Sequence, residues 1–458
     1  RHTRSDRSRG LGDVYKRQVY SFWSQFLYIF ALWYILNNIL YVIMCETEEI
    51  FYEDERRLKE SGVRDVFTPH TPINQENLFR GRMAEVQQIL STLNTPGQHV
   101  LLFGDRGVGK SSLANITSSK LIKITEKELV IKRCSKSDSF CTIFENVLMK
   151  CGIDLSIQTK NTSGNISVSG FGYQRSTEHG GFSNKAQSPS WICDKIKDLN
   201  ILLLIDEFDS IQNKDDKHKV AELIKLLSDS NSSLKIFVVG IAASAEELTA
   251  GHPSVQRCLK EIKLDKMSQR ELVDIIKNGS AKLNLNFTRD AMFRICRLSS
   301  GYPHFTHLIS LKAAEIVIIN ELENIGIDEV NEAIEKSIID CENSLRQSYE
   351  ETVKSSSTMV VYRKVLYATA LCYDEFIRSK DIRFIYKLIF EEEITQQRLN
   401  QYLSKLVSNS DDKILRRLTK GVYRFADPRM SSYIRLVQSD MYSDKEEEIY
   451  VGRKIEFA

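Results

Sequence analysis

The chain has 458 residues, 42% of them hydrophobic and 27% charged, with 21 Gly and 7 Pro. That composition excludes disordered, collagen-like and disulfide-scaffold chains and predicts a globular protein of about three folded units. Nine scattered cysteines, with no C-x-x-C pair and no histidines at metal spacing, support neither a disulfide framework nor a zinc site and predict a reducing, cytoplasmic compartment. The formal charge of +2 is local: residues 1–18 carry six Lys/Arg against two Asp/Glu, and 19–43 carry none. The remainder is slightly acidic, so global charge says nothing about nucleic acid.

Gly10 to Gln18 resembles translated sequencing-adapter sequence, and fold reasoning starts beyond it. Residues 19–43 are uncharged and long enough to span a bilayer. One reading is a membrane helix, basic before it and acidic after it at Glu46, Glu48, Glu49, Glu53, Asp54 and Glu55. The other is AT-rich upstream sequence read in frame, with Met44 as the start.

A first helix is expected over Met83 to Leu93, then a buried strand over His99 to Phe103. Directly after it come Gly104, Asp105, Arg106, Gly107, Val108, Gly109, Lys110 and Ser111, a complete G-x-x-x-x-G-K-[ST] loop, with Ser112 opening helical sequence. Strand, loop and helix together make a phosphate-binding loop. The glycines let backbone N–H groups turn inward around phosphate, Lys110 reaches the β and γ phosphates, and Ser111 ligates Mg²⁺. This loop disfavours the membrane reading of 19–43, because the positive-inside rule would place it away from cytosolic ATP.

A second strand is expected over Val130 to Cys134, and Thr159 to Ser190 reads as an insertion with a hairpin at Asn165 to Ser169. The apolar run Asn200 to Ile205 stops at Asp206-Glu207-Phe208-Asp209, where parallel sheets present ligands. Asp206 is the candidate Mg²⁺ partner and Glu207 the candidate base that orients the attacking water. For Asp209 a capping role is as good a reading as a functional one.

These residues resemble the AAA+ ATPase superfamily, in the branch that joins origin-recognition-like and STAND-type ATPases, over about 66 to 435. The resemblance implies a P-loop NTPase α/β fold, a three-layer αβα parallel sheet, followed by a helical lid and a winged helix-turn-helix domain, with ATP and Mg²⁺ as cofactors. It implies that Phe67 to Ile73 and Leu78 to Arg82 form a linker passing the adenine. Lys235 to Ile241 matches the strand bearing the sensor 1 position, where Ser244 is a weak candidate. Arg257 stands where relatives carry an arginine finger directed at a neighbouring subunit; a surface salt bridge is the competing reading. Ser300-Gly-Tyr-Pro-His304 matches the lid turn, but Pro303 and His304 stand near the usual sensor 2 arginine, which implies slow, switch-like hydrolysis; His304 reads as a lid-packing residue before it reads as one that approaches the nucleotide.

The expected organisation is 1–43 as upstream translation or membrane segment, 44–265 as ATPase core with an insertion at 159–190, 266–345 as helical lid, 358–437 as winged helix, and 438–458 as a charged tail. Residues 343–358 read as a hydrophilic joint. In 358–437 fifteen Lys/Arg face nine Asp/Glu. A helix capped by Thr395 carries Leu399, Leu403 and Leu406 on one face, with Gln396, Gln397, Arg398, Asn400, Gln401 and Lys405 elsewhere. Ile414 to Leu418 and Val422 to Phe425 flank a turn as a wing bearing Arg416, Arg417, Lys420 and Arg424. DNA binding through 395–424 is one reading and a protein client the other.

Three functions remain open: an ATP-hydrolysing switch, a nucleotide-gated DNA-binding regulator with incidental turnover, and a STAND-like sensor that forms homo-oligomers. Guanine specificity is disfavoured because no N/T-K-x-D segment follows the loop, and a membrane partner is not expected.

Overall fold

The computed structural model describes residues 50–152, 188–242, 244–249, 255–354, 359–372, 376–407 and 414–439. The readings of 1–43, of the hairpin at Asn165 to Ser169 and of the tail beyond 439 lie outside these residues. The chain divides into two compact units after Gly62. In the first, residues 50–61 are helical. Among the described residues no helix is long and apolar enough to cross a membrane.

The second unit is built on five parallel strands: β1 His99–Gly104, β2 Glu128–Arg133, β3 Ile201–Asp206, β4 Lys235–Ile241 and β5 Leu259–Lys263, in the order β2-β3-β4-β1-β5. Every residue of β1 and β3 is buried, as the unbroken apolar runs require for strands covered on both faces. The helix Lys110–Thr125 packs against β1 to β4, and Phe140–Lys150 packs against β2 and the helices Pro189–Ile196 and Lys214–Asp229. At the amino ends of the strands His99 is buried and its Nδ1 accepts from the Ile236 amide at 3.0 Å. Burial, with the Lys235 charge nearby, pushes this imidazole down to about 3.

Four helices follow the sheet: Gln269–Leu283, Arg289–Ser299, Pro303–Ile319 and Ile327–Asp340. Ser268 and Glu271 form a capping box on the first, and Pro303 opens the third at a position that needs no N–H. The stretch read as a hydrophilic joint is instead a helix over Asn343–Lys354. Leu345, Tyr349 and Val353, four residues apart, are its buried stripe, a signal outweighed in the sequence by the charged residues between them.

The C-terminal segment runs helix Met359–Ala370, strand Ile377–Arg378, helices Ser379–Phe390 and Gln396–Leu406, then strands Leu415–Thr419 and Val422–Phe425. The last strand pairs antiparallel with both others. Thr395 caps its helix, accepting from the Arg398 amide, and Leu399, Leu403 and Leu406 are buried. A final helix, Met430–Val437, packs against Arg289–Ser299, Ile327–Asp340 and Met359–Ala370. Arg435 on it is buried and donates to the carbonyls of Ala370 and Arg297. Gln438 and Ser439, assigned to the tail by sequence, are buried beside it.

Candidate active site

β1 ends in Gly104 at φ +150°, where a Cβ would stand 2.4 Å from the Leu264 carbonyl oxygen. Only glycine allows that approach. The loop then turns through Gly107 and Gly109, both at positive φ. Gly109 is the N-cap of the helix Lys110–Thr125 and has no side chain to cap it, so the first-turn amides stay open to an anion. Lys110 Nζ folds back on its own loop, donating to the carbonyls of Gly104 at 3.1 Å and Asp105 at 2.7 Å. Burial pushes this ammonium down to about 8, against the opposing pull of Asp209, Asp105 and Asp206. Ser112 Oγ accepts from the Ile73 amide at 3.0 Å and ties the linker to the loop.

β3 delivers Asp206, buried, with its Oδ1 accepting from the Glu207 amide at 2.9 Å. Glu207 takes a left-handed φ of 57° and is exposed. Asp209 Oδ1 accepts from the Ile241 amide at 2.7 Å, which fixes the acidic turn to the end of β4. Because β4 lies between β1 and β3, loop and carboxylates flank its carboxyl end. Lys110, Ser111, Asp206 and Glu207 line one cavity of about 360 Å³, within the size range of small-molecule sites. Arg106, Gly107, Val108, Gly109 and Ser112 line it too.

Among the described residues no cluster of three or more His, Cys, Asp or Glu could hold a metal unaided. A single hydroxyl and a buried carboxylate beside a phosphate loop suit Mg²⁺, which keeps waters and takes oxygens from phosphate. Ser111 and Asp206 therefore fit the expected ion.

The opposite wall comes from the linker and from the helix Pro303–Ile319. The Thr68 amide donates to His307 Nδ1 at 3.2 Å, and His304 Nδ1 lies 2.8 Å from the Pro69 carbonyl oxygen. Both histidines line the cavity. Burial pushes His307 down to about 4 and lowers His304 as well, which favours the neutral form of each ring.

The C-terminal segment closes on the same loop. Arg424 Nη2 donates to Asp105 Oδ1 at 2.5 Å. A Cβ on Gly107 would meet Arg429 Cδ at 2.8 Å. Arg429 is buried and binds both oxygens of Glu342, at 2.6 and 3.1 Å, and both of Asp427. Arg106 lies 3.7 Å from the same Glu342.

The family model described as novel STAND NTPase 1 matches residues 70–306, half of the chain, including the phosphate loop and the acidic strand end. The chain belongs to this family. It is a nucleotide-binding NTPase of the STAND/AAA+ type. Similar solved structures include the Walker-type ATPase paby2304 of Pyrococcus abyssi, 18% identical over 81% of this chain and 99% of that one, with a TM-score of 0.46. Cdc6p of Pyrobaculum aerophilum is 15% identical over 84% and 98%, with a TM-score of 0.43. The Aeropyrum pernix ORC1 protein, solved in complex with DNA, is 15% identical over 83% and 97%, with a TM-score of 0.44. No curated protein matches the chain significantly.

In this STAND NTPase the loop, Asp206 and Glu207 line one cavity, while Arg257, expected to act on a neighbouring subunit, and Ser244 lie outside its wall. Arg257 Nη2 pairs with Asp229 at 2.7 Å, and its carbonyl accepts from Gln98 beside the amino end of β1. Ser244, the weak sensor candidate, is not in the cavity wall, where Gly240 and Ile241 of β4 stand. Sequence reasoning missed His307, Glu342 and Arg429. A buried histidine one helical turn from His304 is a legible signal once the helix is known; the two charged residues, 87 apart, meet only in three dimensions.

Proposed function

We propose that this STAND NTPase is a Mg²⁺-dependent ATP-hydrolysing switch in which nucleotide state sets the position of the segment 358–437. The observation that carries it is the single cavity shared by Lys110, Ser111, Asp206 and Glu207. Held by Ser111 and Asp206, Mg²⁺ would offset the charge that builds on the phosphates. Lys110 exchanges its two loop carbonyls for phosphate oxygens. The open amides after Gly109 complete the cradle. Glu207 orients water and takes its proton as the water oxygen bonds to the γ phosphorus and the bond from that phosphorus to the bridging oxygen breaks, which leaves ADP and inorganic phosphate.

The element order of 359–425 supports a winged helix, and its basic surplus supports DNA as a partner. Gln397, Arg398, Asn400, Gln401 and Lys405 are exposed on its third helix, as are Arg416, Arg417 and Lys420 on the wing. Arg424 instead faces Asp105, so its use on a DNA phosphate excludes its use on the loop. A homo-oligomer with Arg257 acting on a neighbouring subunit is the second reading, resting on the position of Arg257 after β4. The proposed compartment is the cytoplasm.

Phosphate release and ATP binding by the purified chain test the proposal, with and without DNA. Glu207→Gln abolishes release and keeps ATP bound, whereas Lys110→Ala weakens binding itself. Equal release by wild type and Glu207→Gln overturns the role given to Glu207.

A further inference from the structure

His304 and His307 stand one turn apart on the helix Pro303–Ile319, and adjacent linker residues fix their tautomers in opposite senses. A carbonyl only accepts, so His304 Nδ1 carries the proton that meets Pro69, and its Nε2 is left as an acceptor. An amide only donates, so His307 Nδ1 is bare and the proton sits on Nε2. That Nε2–H is buried and has no hydrogen-bond partner among the described residues; the hydroxyl of Thr68, on the same wall, is in the same state. Unmet buried donors are costly and mark sites that a ligand completes.

We infer that His304 and His307 read the base of the bound nucleotide, His304 Nε2 accepting from an exocyclic 6-amino group and His307 Nε2–H donating to the adjacent ring nitrogen N7, which accepts in every purine tested. This inference rests on the nucleotide-binding reading above and adds the selection of the base. Adenine carries an amino donor at its 6-position beside ring-nitrogen acceptors, and matches the pair. Hypoxanthine and guanine place a carbonyl oxygen at that position, which sets acceptor against acceptor at His304. Neutral imidazoles are required, since a protonated ring donates from both nitrogens. Burial favours the neutral form of both, as described above.

Titration of the full wild-type chain with ATP, purine riboside triphosphate and ITP tests the assignment without any substitution. Affinity should fall in that order, with ATP about ten-fold or more tighter than ITP, because purine riboside forfeits one hydrogen bond and ITP also forces a repulsion. In His304→Gln the side-chain amide can turn either its oxygen or its nitrogen to the base. The variant should bind ATP and ITP to within about two-fold of each other. Equal affinity of wild type for ATP and ITP, or an unchanged preference in His304→Gln, overturns base reading while leaving the nucleotide site in place. A wild-type chain that binds none of the three nucleotides overturns the nucleotide reading and this inference together.

Discussion

Arg424 and Asp105, 319 positions apart, form a 2.5 Å ion pair in which each side chain is less than a fifth exposed. The pair joins the last strand of the C-terminal segment to the loop that cradles phosphate. With Arg429 lying on Gly107 and Glu342 between Arg429 and Arg106, three contacts connect the loop to residues beyond 340. Under the switch proposed above, a change of loop geometry on nucleotide binding would reach that segment through these contacts.

The Arg424 and Asp105 contact should be measurable as a coupling energy. Asp105→Ala and Arg424→Ala each cost ~1–3 kcal/mol, since each strands a partly desolvated partner. The double variant costs less than the sum by about 1 kcal/mol or more in urea unfolding. Strict additivity would show that the pair contributes nothing.

Glu342 gives the C-terminal contact a pH dependence. The Arg429 guanidinium, helped by Arg106, holds this carboxyl down from 4.5 to about 2. A depressed carboxylate stabilises the folded form fully above its ordinary range and loses that contribution as pH falls through about 2. Hydrogen-exchange protection of Met430–Val437 should therefore weaken in acid for wild type. In Glu342→Gln it should be weaker at neutral pH and flatter with pH.

His99 and His307 act at milder acidity. Burial depresses both, to about 3 and about 4, from 6.5. Between pH ~6.5 and ~4 the unfolded chain binds about two protons that the folded chain refuses, so stability falls as pH falls. The slope from these two groups is ~1.4 kcal/mol per pH unit for each proton. Urea midpoints at pH 7, 6 and 5 read it, and His99→Gln should remove about half of this share.

Gly104→Ala places a Cβ against the Leu264 carbonyl and should cost ~2–4 kcal/mol or abolish nucleotide binding. Gly152, also at positive φ but with nothing within 4 Å of an added Cβ, serves as control. Gly152→Ala should cost only about 1 kcal/mol in thermal unfolding. Equal losses would assign the effect to backbone conformation and not to the close approach.

DNA binding is read most cleanly through salt. Arg416→Ala with Arg417→Ala should weaken the affinity of the chain for duplex DNA and reduce the slope of log affinity against log salt by about two. No binding by wild type at low salt leaves the protein client as the partner.

The phosphate loop, the acidic strand end and the parallel sheet were all legible in the sequence because each depends on neighbours in the chain. Apolar runs make buried strands, glycines make the turn, and Lys110 and Ser111 follow at fixed spacing. The strand pair Leu415–Thr419 and Val422–Phe425 and the helix behind Thr395 were legible for the same reason. The helix Asn343–Lys354 was not, because its buried stripe is one residue in four among charges, and only the packing surface it meets decides between helix and joint.

Local sequence thus determined where the phosphate-binding loop and the acidic end of β3 lie, since hydrogen bonding and backbone sterics over a few residues suffice. Only the tertiary structure decided which distant groups share that cavity. Arg424 could have paired elsewhere than with Asp105, and Glu342 and Arg429 could have met solvent instead of each other. Charge and polarity assign such side chains a kind of partner, but the partner itself is chosen by the burial and docking of whole elements.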